Sequence, residues 1–115
     1  RGIVGAAMPS PDYAAVLCAH DILSERYTDP PTIPELARLV FLNENRLKRG
    51  FKELFGKTIH QFTNTLKMET AQSLLEDKDK TISQIAYEVG YVNVSHFSHA
   101  FRQIHGKNPS DFRKP

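Results

Sequence analysis

The stretch that decides the fold is TISQIAYEVGYVNVSHFSHAFRQIHGKNPSDF, from Thr81 to Phe112. Apolar residues in its first part recur at the spacing of one buried helix face, and a capping box of Thr81 and Gln84 predicts where that helix begins. Gly90 can adopt the left-handed conformation that ends it. A second helix is expected after the N-cap Asn93, with an inner face of Phe97, Ala100, Phe101 and Ile104. Two short helices joined by a glycine-containing turn form a helix-turn-helix.

The chain contains this stretch twice. Thr32 lies 49 residues before Thr81, and the same offset pairs the apolar residues of the two first helices. After the turn the offset becomes 50, which pairs Asn43 with Asn93, so one residue is inserted in the second turn. Because caps, buried positions and terminators all recur, the repeat indicates a structural duplication with two paired reading heads.

Length and composition bound the fold. A chain of 115 residues suits one domain or two small lobes, and lobes of about 45–50 residues would be marginal alone. The single cysteine, Cys18, cannot form an internal disulfide, which favours a reducing compartment. No apolar run approaches the ~18–20 residues of a membrane span. The start, RGIVGAAMPS, has an apolar stretch too short for a signal peptide. It also lacks an initiator Met, so we expect residues 1–10 to be a linker or a remnant of cloning.

Charge is informative through its distribution, since a net charge of +2 alone is too small to indicate nucleic acid binding. Residues 43–57 carry five basic side chains against two acidic ones, and residues 93–107 carry two basic side chains, three histidines and no acid. At 100° per residue the outward faces centre on Asn45, Arg49 and Lys52 and on Ser95, His99 and Arg102. A charged run is usually a solvated helix face, but two matched basic faces in a duplicated helix-turn-helix favour nucleic acid binding.

Further signals predict the other helices. Ser10-Pro11-Asp12 is a helix start, and this helix is expected to run to about Tyr27. Its expected inner face consists of Tyr13, Val16, Leu17, His20, Leu23 and Tyr27. Thr32 with Glu35 forms a second capping box, before a short helix that ends near Val40. The first recognition helix is expected from about Glu44 to Phe55.

A long helix is predicted between the two copies. Thr58 and Gln61 form a third capping box, and the helix can run to about Glu76, a length of ~28 Å. Successive major-groove faces on one side of B-DNA lie ~34 Å apart. We therefore predict an all-α fold of two helix-turn-helix lobes, residues 11–57 and 77–115, joined by a linker helix over residues 58–76.

The motif IAYEVGYVNVSHFSHAFRQIHGKNPSDFR resembles the signature of the AraC/XylS family of bacterial transcription regulators. The first copy, LARLVFLNENRLKRGFKELFGKTIHQF, resembles the first helix-turn-helix of that family, and the likeness covers about residues 11–113. The segment HDILSERYTDPPTIPELA resembles the sequences of regulators that respond to ferric siderophores. The resemblance implies about seven helices, with two recognition helices (about 44–55 and 94–105) in adjacent major grooves.

The resemblance also implies residue roles. Base contacts are implied for Asn45, Lys48 and Arg49 in the first lobe and for Val94, Ser95, His96 and His99 in the second. Phosphate contacts are implied for Arg46, Lys52, Lys67 and Arg102. These side chains suit the task, because Arg or Lys can pair with guanine O6 and N7, and Asn with adenine N6 and N7.

The family likeness implies partners beyond DNA. We expect an activator that places RNA polymerase, with an effector sensed by an N-terminal domain of the same protein outside this sequence. No cofactor is expected. The implied location is the bacterial cytoplasm, in association with the nucleoid.

Three positions depart from the family pattern. Phe41 stands where glycine is usual, and a positive φ there would be strained, so we expect either another turn geometry or a simple substitution. His99 and Lys67 stand where arginine is frequent, and a neutral histidine would weaken contacts to phosphate or guanine.

Other functions have weaker support in the sequence than DNA binding. His96, His99 and His105 suggest a metal site, but no cysteine or carboxylate completes a ligand set and His105 falls on another face. No nucleophile–base set or glycine-rich phosphate loop points to an enzyme. The remaining alternative is a helical protein-interaction module without DNA binding, which would carry apolar residues on the two outward faces.

Overall fold

The fold of the described part of the chain, residues 10–113 of a computed structural model, is all-α as predicted, with no strand in that range. Its seven helices are α1 Ser10–Glu25, α2 Ile33–Val40, α3 Glu44–Phe55, α4 Ile59–Leu74, α5 Ile82–Glu88, α6 Val94–His105 and α7 Pro109–Arg113. The predicted linker over residues 1–10 lies outside the described residues except for Ser10, which begins α1.

The chain divides between Thr63 and Asn64 into two compact units. The first unit contains α1, α2, α3 and the beginning of α4, and the second contains the rest of α4 with α5, α6 and α7. The division therefore falls inside α4, the helix predicted as the linker. α4 has 16 residues, which corresponds to about 24 Å at the usual rise of an α-helix.

The core of the first unit takes one face from each of its helices. α1 contributes Val16, Ala19 and Leu23, which recur at i, i+3 and i+7. Leu17 was predicted on this inner face but is exposed. At 100° per residue it lies 100° from Val16 around the helix, on the side opposite to Ala19. α1 also ends two residues earlier than predicted. The core is completed by Leu36, Ala37, Val40, Leu47, Phe51 and Ile59.

The core of the second unit is built in the same way. α4 and the residue after its end contribute Met68, Ala71 and Leu75, and the helix-turn-helix contributes Ile85, Ala86, Val89, Phe97 and Phe101. Ile104, predicted on the inner face of α6, is instead exposed. The ring of His105 packs on Phe101 at a centroid distance of 4.4 Å and covers the core at the C-terminal end of α6.

The duplication extends to the helix that precedes each helix-turn-helix. Val16, Ala19 and Leu23 of α1 lie 52 residues before Met68, Ala71 and Leu75, and all six side chains are buried. α1 and α4 therefore play equivalent packing roles in the two units, although sequence alone revealed only the helix-turn-helix repeat.

All three predicted capping boxes form. In each, the threonine hydroxyl accepts from the backbone N–H three residues on, and the side chain of that residue accepts from the threonine N–H. The pairs are Thr32 with Glu35, Thr58 with Gln61, and Thr81 with Gln84. The N-caps Asn43 and Asn93 accept from the backbone N–H groups of Arg46 at 2.8 Å and His96 at 3.0 Å. These caps fix where α3 and α6 begin.

The first helix-turn-helix turns through Phe41, whose φ of 61° lies in the left-handed region. Of the two expectations for this position, another turn geometry is therefore wrong, and the structure shows a simple substitution. The N–H of Leu42 donates to the carbonyl of Ala37 at 3.0 Å, and at equivalent positions the N–H of Tyr91 donates to Ala86 at 2.8 Å. The two turns share this hydrogen-bond pattern, so Phe41 adopts the conformation that glycine adopts in the second copy.

Replacing Phe41 with glycine is expected to stabilise the protein by about 1 kcal/mol. A residue with a β-carbon costs about 1–2 kcal/mol in the left-handed region, and the greater unfolded-state entropy of glycine offsets part of this gain. Little burial is lost, because Phe41 is 92% exposed. The measurement is the free energy of unfolding from urea titration.

Val92→Gly is the matched control, because Val92 lies in the second turn and is also 92% exposed. Among the described residues Phe41 is the one non-glycine residue with positive φ, so the control has no left-handed strain to relieve. We expect it to destabilise the protein by about 0.5–1 kcal/mol through chain entropy. Equal shifts for the two variants would contradict the assigned strain.

Candidate nucleic-acid interface

The outward face of α3 brings together four of the predicted contacts. Asn45, Lys48, Arg49 and Lys52 are all exposed and fall within an arc of about 100° on the helix surface. The opposite face is buried in the core of the first unit. One solvent-facing strip thus carries amide, ammonium and guanidinium groups, all of which donate hydrogen bonds. The ammonium and guanidinium groups can also neutralise phosphates.

The outward face of α6 is polar and weakly basic. Ser95, His96, His99 and Arg102 are exposed, and the helix contains no acidic residue. Val94 differs from the other predicted base contacts, because it is half-buried and packs against the core of the second unit. The structure therefore places four of the five predicted residues of α6 on an accessible face.

Arg46 at the start of α3 has an ionic partner within the protein. Its Nε donates to Oδ2 of Asp12 at 3.0 Å, and its Nη2 donates to Oδ1 of the same carboxylate. The side chain of Asp12 is 12% exposed and that of Arg46 is 50% exposed. This two-point pairing joins the first turn of α1 to the first turn of α3, and the Arg46 side chain as a whole stays half-exposed.

Lys67 lies on α4 beside the second turn. Its Nζ is 5.0 Å from the centre of the Tyr91 ring, a cation–π contact. The Tyr91 hydroxyl donates to Oδ1 of Asn64 at 2.6 Å. Burial raises the pKa of Tyr91, which favours the protonated hydroxyl that donates this bond. These contacts hold the turn of the second unit against α4 and position the ammonium group of Lys67.

Four of the five histidines divide into two kinds. His96 and His99 are exposed on α6. His105 has its Nε2 3.0 Å from the carbonyl of Met68, and His20 stacks on Phe55 at 4.4 Å. His105 and His20 therefore act in packing. Within residues 10–113, no group of three or more His, Cys, Asp or Glu is arranged to hold a metal ion.

Sequence reasoning missed three residues that support this surface, Asp12, Asn64 and Tyr91 as hydrogen-bonding partners. A partial signal existed, because Asp12 and Asn64 lie 52 residues apart, the offset that relates α1 to α4. The partner of each could not be read from that spacing.

Within the described residues, no helix combines the length and the apolar character needed to cross a membrane.

Comparison with known proteins identifies likenesses over most of the chain. A family model described as "Helix-turn-helix domain" matches residues 36–115. The HTH-type transcriptional regulator YisR of Bacillus subtilis (strain 168) is 32% identical over 92 residues, which is 80% of this chain and 32% of that protein. The chain spans about a third of the length of the curated relatives it matches.

Two solved structures have the same fold. The C-terminal domain of AraT, a response regulator from Geobacillus stearothermophilus, superposes with a TM-score of 0.79 at 27% identity, over 86% of this chain and 83% of that one. The DNA-binding domain of AdpA, solved in complex with a target DNA, superposes with a TM-score of 0.77 at 22% identity, over 85% of this chain and 88% of that one. At the lower identity the likeness establishes the fold alone.

Proposed function

The chain belongs to the AraC-type helix-turn-helix family of DNA-binding transcription regulators, and from this premise we propose that it reads DNA by inserting α3 and α6 into adjacent major grooves. The members of this family are regulators that bind DNA rather than enzymes. A helix-turn-helix places its second helix in the major groove, with the N-terminal residues of that helix against the base edges.

The observation that carries the proposal is the match between the two exposed helix faces. α3 and α6 each begin at an asparagine N-cap, bury phenylalanine on one side and expose hydrogen-bonding or basic side chains on the other. Exposed large apolar side chains lie mainly on other surfaces, and Phe41 and Val92 belong to the turns. This arrangement favours DNA over the alternative of a protein-interaction module. The AdpA domain of the same fold binds a target DNA.

Individual roles follow from side-chain chemistry and position. Asn45, Lys48 and Arg49 lie toward the N-terminal half of α3, where base edges are in reach, so we assign them to base contacts. Lys52, one turn further along, is assigned to phosphate. In the second unit we assign base contacts to Ser95, His96 and His99, with Val94 as an apolar neighbour for a thymine methyl group. Arg46, Lys67 and Arg102 complete the proposed phosphate contacts.

For the whole protein we propose transcription activation by placement of RNA polymerase, in response to an effector sensed by an N-terminal domain. A ferric siderophore is the effector class that the sequence resemblance suggests. Transcription from a promoter carrying the selected site, measured with and without ferric siderophore, tests this extension. No dependence on the siderophore would remove the effector assignment without affecting DNA binding.

The test of the proposed function is selection of binding sites from a random DNA duplex pool at moderate salt, followed by footprinting of the winners. We expect a bipartite site with centres about 10 base pairs apart, one helical turn. A single short half-site would mean that one unit alone reads sequence. Absence of binding even at low salt would favour the protein-interaction alternative.

A further inference from the structure

Asp12 is the feature of the molecule that the proposed contacts leave unexplained. It is a buried carboxylate in the first turn of α1, 34 residues before its partner Arg46 in the chain, and both of its oxygens accept from that one guanidinium. The N-terminal dipole of α1 favours a carboxylate at this place. The helix dipole therefore favours the charged carboxylate, and the two hydrogen bonds join it to Arg46.

The two bonds to Asp12 do not use all of the N–H donors of the guanidinium. Arginine has five N–H donors in a planar fork, and the two bonds to Asp12 use the edge formed by Nε and Nη2. Asp12 is the side-chain partner of Arg46 among the described residues, and Arg46 remains 50% exposed. An arginine paired through one edge to a carboxylate can pair through its other edge to a second anion.

We infer that Asp12 is a positioning residue, which holds the guanidinium of Arg46 at the start of α3 so that the edge not bonded to Asp12 meets a DNA phosphate beside the first half-site. This inference rests on the proposed DNA binding. In this inference Arg46 pairs with Asp12 through one edge of its guanidinium and with a DNA phosphate through the other. Because Asp12 fixes the side chain before DNA binds, less conformational entropy is lost on contact.

The second unit provides the contrast. The residue equivalent to Arg46 is His96, and the residue equivalent to Asp12 is Asn64, which accepts from Tyr91. The equivalent helix position is used for a different contact there. The Asp12–Arg46 pairing therefore belongs to the first unit, and changing Asp12 should remove a contact only from the DNA backbone beside the first half-site.

The sign of one measurement separates positioning from simple electrostatics. Asp12→Asn removes a negative charge near the DNA, so charge alone predicts tighter binding. A positioning role predicts weaker binding, by about tenfold for every duplex sequence, with the slope of log affinity against log salt reduced by about 0.9. Glu44→Gln is the matched control, because it removes an exposed carboxylate from the first turn of α3, and we expect it to bind more tightly.

A double-mutant cycle identifies the residue through which Asp12 acts. In an Arg46→Gln background, Asp12→Asn is expected to change affinity by less than about twofold, since the contact it supports is already gone. A full tenfold loss in that background would overturn the inference. Tighter binding by Asp12→Asn in the native background, as for Glu44→Gln, would overturn it too.

Effects on folding must be separated from effects on DNA affinity, because the pairing of Asp12 with Arg46 also joins two helices. Helix content and the unfolding transition of each variant are measured at the temperature of the binding assay. If Asp12→Asn does not fold, Asp12→Glu replaces it, since it keeps the charge and moves the carboxylate by one methylene. Weaker binding with unchanged net charge supports positioning, and unchanged affinity overturns it. Failure of the native chain to bind any DNA would instead reject the proposed function itself.

Discussion

Phe51→Ala is expected to unfold the first unit while the second stays folded. Phe51 is fully buried, and its ring lies 4.8 Å from that of Phe55 and 5.5 Å from that of Phe62. Truncating a buried phenylalanine to alanine costs about 3–5 kcal/mol, and a core of this size supplies only about that much in total. Amide hydrogen exchange should show lost protection through α1 to α3 and retained protection in α5 and α6.

Phe101→Ala is the reciprocal variant, because Phe101 occupies the equivalent position in the second unit and is equally buried. It should remove protection from α5 and α6 and leave α1 to α3 protected. Loss of protection across both units in either variant would mean that they unfold as one cooperative block. In the site selection described above, each variant is expected to yield a single half-site.

The features that sequence predicted well are those with local causes. Each capping box needs two residues three positions apart, and all three boxes form where their threonines stand. The turn after α2 was predicted less well. A positive φ is unfavourable for phenylalanine, and the sequence does not show that the hydrogen bonds of the turn require a positive φ at this position. Phe41 adopts that conformation because Leu42 still donates to Ala37.

The features that sequence missed depend on how helices pack. Met68 is fully buried, yet it reads as one apolar residue among several on a long helix until the packing of α4 is known. Ile104 has the correct spacing for burial, but His105 occupies the end of that core. The pairing of Asp12 with Arg46 spans two helices, and no local pattern encodes such a contact. The outward faces of α3 and α6 were predictable because they are what helical periodicity leaves outside the core.

Arg49→Ala is expected to weaken binding to the selected site by about 1–3 kcal/mol and to relax the preference at one base pair. Arg49 is exposed on the outward face of α3, about one turn from Asn45 and from Lys52. Its guanidinium can pair with guanine O6 and N7 through two hydrogen bonds. Binding isotherms on the selected site and on its single-base variants measure both effects. The stability of the fold should be unchanged, because the side chain leaves the core untouched.

Lys52→Ala is the matched comparison, three residues further along the same exposed face. A phosphate contact carries no sequence information, so this variant should weaken binding to all duplexes alike and reduce the salt slope by about 0.9. The two variants remove the same formal charge, and a purely electrostatic interface would therefore give them equal losses and equal slopes. That result would contradict the division of α3 into base-reading and phosphate-binding positions. Unequal base preference with similar affinity loss would support it, because only a contact to a base edge can change which base is preferred.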